Sequence, residues 1–440
     1  MWSLPKTATA PFCPSEIQGS IQIPEHASVW KRIALFAGPG LLVAVGYMDP
    51  GNWATDIEAG SKYGYSLLFV VLFSSLAAVV LQCLAMKLGL ITGRDLAQLC
   101  RERYQPKTNF MLWLLAELAI IATDVAEVLG SALAFKLLLG VSLPVGIAIT
   151  ALDTLLILGL KGKGFRQVEA IILGLVATIG LCFLVELFLL KPYWPDVLAG
   201  FVPGRGDLSG LEPWYISIGI LGATVMPHNL YLHSSIVQTR KTGDDYVSKK
   251  RALNFATADT VVSLFFAFFV NAAILILAAT AFHKTGLTAV TEIDDAYKYL
   301  EPVVGGAFAS VVFGIALLAS GQSSTFTGTI AGQIVMEGYL KLKIPCWKRR
   351  VITRVLALVP AFIGVWIVGE NSTGRLLVIS QVVLSLQLPF AIYPLLRLTG
   401  DPNLMGKFVN SNAIRIISWT LFLIISLANV WLVTQWLFGA

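Results

Sequence analysis

The chain has 440 residues, 56% of them hydrophobic and 13% charged, with a mean hydropathy of +0.75 and a formal net charge of +6. A soluble domain carries about 25% charged residues, so this composition excludes a soluble enzyme and predicts an integral membrane protein with many spans. The positive balance lies in short loops, as membrane topology requires, so it is no nucleic-acid signal. The cysteines Cys13, Cys83, Cys100, Cys182 and Cys346 lack the paired spacing of a zinc site or disulfide framework.

Residues 1–32 are polar and contain proline, with no apolar core of a signal peptide. They are expected to form a cytoplasmic segment ahead of a transmembrane domain over 33–440. At about 20 residues per membrane helix, about eleven spans are expected. They fall at 34–62, 65–92, 110–140, 144–160, 167–190, 213–239, 256–282, 306–335, 351–369, 373–396 and 413–437. The fold class is therefore all-α integral membrane.

Span one is interrupted by Asp49-Pro50-Gly51-Asn52. Proline removes a helical hydrogen bond and glycine resists helix, so the backbone should unwind there. Freed backbone groups and a carboxylate at membrane depth are tolerated only around a cavity or an ion. Span six carries a second break at Ala223-Thr224-Val225-Met226-Pro227-His228. Breaks in spans one and six match two five-helix halves, about 33–190 and 213–396, with an extra helix at 413–437. Five is odd, so the second half inserts inverted, the pattern of an inverted-repeat transporter.

Most lysines and arginines fall in alternate loops, beginning with the N-terminal segment. The opposite loops hold only Lys62, Lys191, Arg205, Lys284, Lys298 and Arg375. The positive-inside rule then places the N-terminus in the cytoplasm and, with an odd span count, the C-terminus outside.

Asp49 and Asn52 offer hard oxygen ligands, and unwound carbonyls near Gly46 and Ala223 add more. Met226 offers a soft thioether. Oxygen-only sites suit magnesium and calcium, whereas a thioether biases toward transition metals. The expected cargo is manganese or ferrous iron, with cadmium and cobalt also accepted. A lone methionine also serves as core filler; its place beside Pro227 favours the ligand reading.

Span three carries Glu117, Asp124 and Glu127, spaced to share one helical face. Acids in an apolar span read as a proton or cation relay, or alternatively as residues of a wet helix end paired with a base. Glu127 stands closest to the outer surface in this reading. His228 and His233 follow the second break and can pass a proton or serve structure alone. Gln381 in span ten and Asn271 in span seven can each ligate metal or bridge helices, the bridge being the favoured reading for Asn271. Arg349-Arg350 reads as an inner-surface anchor or a gating ion pair.

Four stretches go further: GYMDPGNWATDIEAGSKYGYSLL at 46–68, ATDVAEVLGSALA at 122–134, GATVMPHNLYLHS at 222–234 and GQSSTFTGTIAGQIVMEGYL at 321–340. Together they closely resemble the natural resistance-associated macrophage protein (Nramp) family of proton-coupled divalent metal transporters, from about Ile33 onward. The length resembles the bacterial branch. The resemblance implies metal binding by Asp49, Asn52, Met226, Gln381 and the carbonyls of Gly46 and Ala223. It also implies a proton route through Asp124 and Glu127, with His228 nearby and Arg350 at the inner end. It implies the LeuT-type fold, alternating access, and import of Mn2+ or Fe2+ driven by protons, with no bound cofactor and no obligatory oligomer. Cys83 departs from relatives that carry asparagine there.

A sodium-coupled amino-acid carrier of the same architecture is the alternative. Such carriers hold a substrate carboxylate at a helix break, and Asp49 would repel it. A zinc enzyme lacks ligands, with four histidines and no HExxH.

Overall fold

The computed structural model describes residues 18–24, 28–152, 165–204, 208–304, 307–341, 346–369 and 373–438. The helices, in chain order, are α1 Val29–Phe36, α2 Pro39–Gly46, α3 Pro50–Tyr63, α4 Leu68–Thr92, α5 Leu96–Arg103, α6 Pro106–Leu139, α7 Leu143–Thr150, α8 Phe165–Leu190 and α9 Trp194–Ala199. Then follow α10 Leu211–Val225, α11 Pro227–Ile236, α12 Tyr246–Ala281, α13 Ile293–Val304, α14 Ala307–Leu340, α15 Cys346–Val368, α16 Thr373–Thr399, α17 Pro402–Met405 and α18 Asn412–Phe438. Among the described residues, eight helical stretches are long and apolar enough to cross a membrane, one of them α1 and α2 taken together. Each expected span coincides with one or more helices. The fourth is described only in its first part, because 153–164 lie outside the described residues.

Span one departs from expectation in having two interruptions. α1 ends at Ala37-Gly38, and Pro39 starts α2 in the first-turn position where its missing N–H costs nothing. The second interruption, at Tyr47–Asp49, is the expected one: Asp49 caps α3, its side chain accepting the Asn52 N–H, with Pro50 in the first turn. Span six breaks at Met226 between α10 and α11, and Pro227 opens α11. A second departure from an all-helical chain is a two-residue parallel pair, β1 Ile21–Gln22 with β2 Arg240–Lys241.

Close approach explains several glycines. A Cβ on Gly130 of α6 would collide with Pro50, and one on Gly222 of α10 with the Gln381 carbonyl of α16. Small residues let membrane helices come together where lipid offers no hydrophobic drive. These contacts bring α6 and α16 against the two broken helices, with α12 and α14 packed behind.

Candidate functional site

Asp49, Asn52, Met226 and Gln381 are all buried. The two breaks are joined through Asn52. Its Nδ2 donates to Asp49 Oδ1 at 2.7 Å and to the Ala223 carbonyl at 2.9 Å. Its Oδ1 accepts from Asn271 Nδ2 at 3.3 Å, and the same amide reaches the Tyr47 carbonyl at 2.8 Å. Asn271 is therefore the helix bridge that the sequence predicted, and it steadies the first break.

Asp49 Oδ2 is buried and has no hydrogen-bond partner among the described residues. A carboxylate oxygen left this way costs several kcal/mol unless a cation or proton compensates it. Gln381 Nε2 donates to Ser380 Oγ at 3.0 Å, and its Oε1 is likewise without a partner. Its amide lies against Gly51, where any Cβ would overlap it. Met226 forms the junction of the second break, and its sulfur lies 3.7 Å from Asn229 Nδ2. Asn229 also fills the space beside Gly46, so a side chain there would strike it. The predicted ligand residues thus converge on the two breaks, with two unpartnered oxygens among them.

The acids of α6 lie beside this centre. A Cβ on Gly328 of α14 would come within 2.7 Å of Glu127 Oε1 and 3.1 Å of Asp124 Oδ1, so the two carboxyl groups meet over that glycine. Glu127 is buried. It is electrostatically linked to Asp124, Asp49 and Arg354, and Asp124 to Arg354 and Glu117. His228 Nδ1 lies 3.2 Å from Thr123 Oγ1, next to Asp124. His233 is buried elsewhere, its Nδ1 3.0 Å from Gln82 Oε1, while Gln82 Nε2 donates to the Tyr47 hydroxyl at 2.8 Å. That chain braces the first break from the side of α4.

The side chain of Arg350 lies outside the described residues. Arg354, one turn further along α15, is the arginine that the structure shows facing these acids. It is buried, and its Nε and Nη2 donate to the Thr150 carbonyl at the end of α7 at 3.2 and 2.7 Å. The sequence marks it only by its place within a span. The available signal was position: an arginine inside an apolar run costs more than one at its end, and so marks a partner.

A sequence profile described as natural resistance-associated macrophage protein-like (Nramp) matches residues 40–435. The chain belongs to the Nramp family. It is 63% identical over 437 residues to the divalent metal cation transporter MntH of Ralstonia nicotianae, covering 99% of both chains. It superposes on the crystal structure of the Eremococcus coleocola manganese transporter with a TM-score of 0.89 at 38% identity, covering 96% of this chain and 92% of that one. At 15% identity it also matches Mhp1, a nucleobase-cation-symport-1 family transporter, with a TM-score of 0.61 over 96% and 91% of the two chains, a likeness of fold alone. The Nramp chain is thus a multi-pass membrane protein of the LeuT-type fold, in a transporter family and not an enzyme family.

Proposed function

We propose that this Nramp protein imports divalent transition metal ions, Mn2+ and Fe2+ foremost with Cd2+ and Co2+ also accepted, together with protons, by alternating access. The observation that carries the reading is the buried Oδ2 of Asp49, unpartnered among the described residues, between two broken helices, the second of which has Met226 at its junction. Asp49 supplies negative charge to the ion. Asn52, once its amide turns its oxygen inward, Gln381, and the carbonyls of Gly46 and Ala223 supply neutral oxygens. Met226 supplies the sulfur that disfavours calcium and magnesium.

Protons take a separate route, along Asp124 and Glu127 toward Arg354, with Glu117 and His228 adjoining it and Arg350 at its inner end. The inverted halves 33–190 and 213–396 rock about the site, and the helix at 412–438 stands outside them. The N-terminus faces the cytoplasm and the C-terminus the outside of the plasma membrane, the inner one in a two-membrane cell. The metal ion, protons and the bilayer are the partners this requires.

Purified protein in liposomes, with manganese uptake and a pH-sensitive dye read together, tests the reading. Asp49→Ala is expected to abolish uptake while the protein remains folded, because a desolvated divalent ion loses its main charge compensation. Near-normal uptake at low metal concentration overturns the site. Asp124→Asn keeps the shape but cannot exchange a proton at neutral pH, so proton entry should fall more than metal binding does. Unchanged proton entry overturns the relay.

A further inference from the structure

The chain ahead of α1 is part of the structure that closes one end of the transporter. Gly19 N donates to the Gln238 carbonyl at 2.9 Å, Gln18 Nε2 to Gln238 Oε1 at 2.9 Å, and Ile23 N to the Lys241 carbonyl at 3.3 Å. These bonds flank the β1–β2 pairing of Ile21 with Arg240 and Gln22 with Lys241. Ile21 is buried, an unusual state for a residue in a polar leading segment. Ile23 packs on the small cluster of Phe36 from α1, Val237, and Ala252 and Ala256 from α12. Ile23 and Pro24 line one side of a notch whose other walls are Arg32 and Phe36 of α1 and Ala252 and Phe255 of α12. Phe36 and Phe255 stack there with ring centroids 5.6 Å apart. The segment is therefore a wedge that touches both α1 and the elements against which α1 is shut.

One residue connects this wedge to the closure beneath it. The backbone of Arg240 pairs with Ile21, while its side chain donates to the Leu35 carbonyl at 3.1 Å and the Ala37 carbonyl at 2.8 Å. It also forms a buried ion pair with Glu169 at 2.7 Å. Strand pairing holds β2, and β2 places the guanidinium on the last turn of α1. Moving α1 away must strip Phe36 from Ile23 and Phe255 as well as break the Arg240 contacts.

We propose that residues 18–24 form an autoinhibitory clasp, which stabilises the closed end of the transporter at α1 and sets how readily that end opens. The clasp works by adding contacts to the closed arrangement. The inference rests on the alternating-access reading for its consequence in transport, but the clasp itself can be read without transport.

Val237 is buried in the same cluster as Phe36 of α1, so Val237→Cys reports the loss of that cluster on opening through its rate of modification by a water-soluble thiol reagent. Ile23→Pro removes the N–H that bonds Lys241, and Ile21→Asp puts a charge where the clasp is buried. Each, added to Val237→Cys, should raise the labelling rate several-fold. Identical rates with and without either change overturn the proposal.

In a second arm, Cys13→Ser with Gln22→Cys and Lys241→Cys places a thiol pair on directly facing residues. Forming that disulfide with a metal-free oxidant should slow manganese uptake several-fold, and reductant should restore it. Equal uptake by the oxidised and reduced protein also overturns the clasp. Absence of uptake from the reduced protein, with labelling that still responds to Ile23→Pro, counts against the transport reading and leaves the clasp standing.

Discussion

The two ends of the molecule are closed in different ways. At the α1 end, Arg240 and Glu169 form an ion pair with both side chains almost fully buried. Around it Asp259 of α12 accepts the N–H groups of Gly38 and Gly40 at 3.3 and 2.7 Å, and Arg166 reaches the carbonyls of Ala34 and Ala37. At the opposite end, Lys62 of α3 bridges Glu58 and Glu212, Lys136 of α6 reaches Asp294 of α13, and Glu292 accepts the N–H of Gly374 at the start of α16. Those groups are partly or largely exposed. Buried, fully bonded charges lose several kcal/mol when one partner goes, whereas exposed pairs are worth about 0–1 kcal/mol. The lesson is that the α1 end is a cooperative lock and the other end a set of weak, separable ties. In the proposed orientation, this favours opening to the outside over opening to the cytoplasm.

The largest effect expected from this contrast is that of Arg240→Ala. It leaves Glu169 buried without its main cation, at a cost of about 3–5 kcal/mol. The melting temperature should fall, and thiol labelling at Val237→Cys should rise far more than the clasp variants raise it. A melt and labelling rate like the wild type would break the comparison, since the lock would then be no stronger than the ties.

Glu292 sharpens the comparison by pH. It lies outside the spans, between α12 and α13, and burial pushes its carboxyl up to about 7 from an ordinary 4.5, with Asp295 and Glu58 adding negative charge nearby. A raised acid favours the folded state while protonated. Its contribution is fully present below about pH 4.5 and is lost as pH rises through about 7. Glu292→Gln removes that titration, so melting temperatures at pH 5 and pH 8 should lie closer together than in the wild type. Asp95, near the other end and pushed up to about 7 by burial, still titrates in the variant, so the slope should shrink without vanishing. An unchanged slope would mean that the Glu292 tie carries none of the pH dependence.

The smallest effect belongs to Lys62→Met. Both of its ion pairs are in partial contact with water, so stability should change by no more than about 1 kcal/mol. A loss as large as that from Arg240→Ala would erase the distinction between the two ends.

The two ends also differ in how far they could be read from the sequence. The breaks at 49–52 and 223–228 were legible because proline and glycine act locally, and the spans were legible because length and hydropathy are properties of short windows. The lock was not. Glu169, Arg240 and Asp259 lie on three different elements, Glu169 about 70 residues or more before the other two, and Arg240 reads on its own as one more loop cation. Gly38 is illegible for the same reason. Its φ of +144° and the overlap that a Cβ would make with Glu169 and Arg240 appear only when those side chains arrive. Likewise the acids Asp124 and Glu127 were legible on one helix, while their partner arginine could be fixed only by knowing which turn of α15 faces α6.

The pairing of β1 with β2 also dictates an order of manufacture. Ile21 and Arg240 are 219 residues apart, and no strand can form until the later one has left the ribosome. At about 5–20 residues per second, the early segment waits roughly 10–45 s for its partner. Glu169 is synthesised about 70 residues before the arginine that pairs with it, so during insertion it is either hydrated or neutral. The most tightly bonded end of the finished protein is therefore among the later parts to consolidate during biogenesis, and a nascent chain halted before residue 240 has no means of closing it.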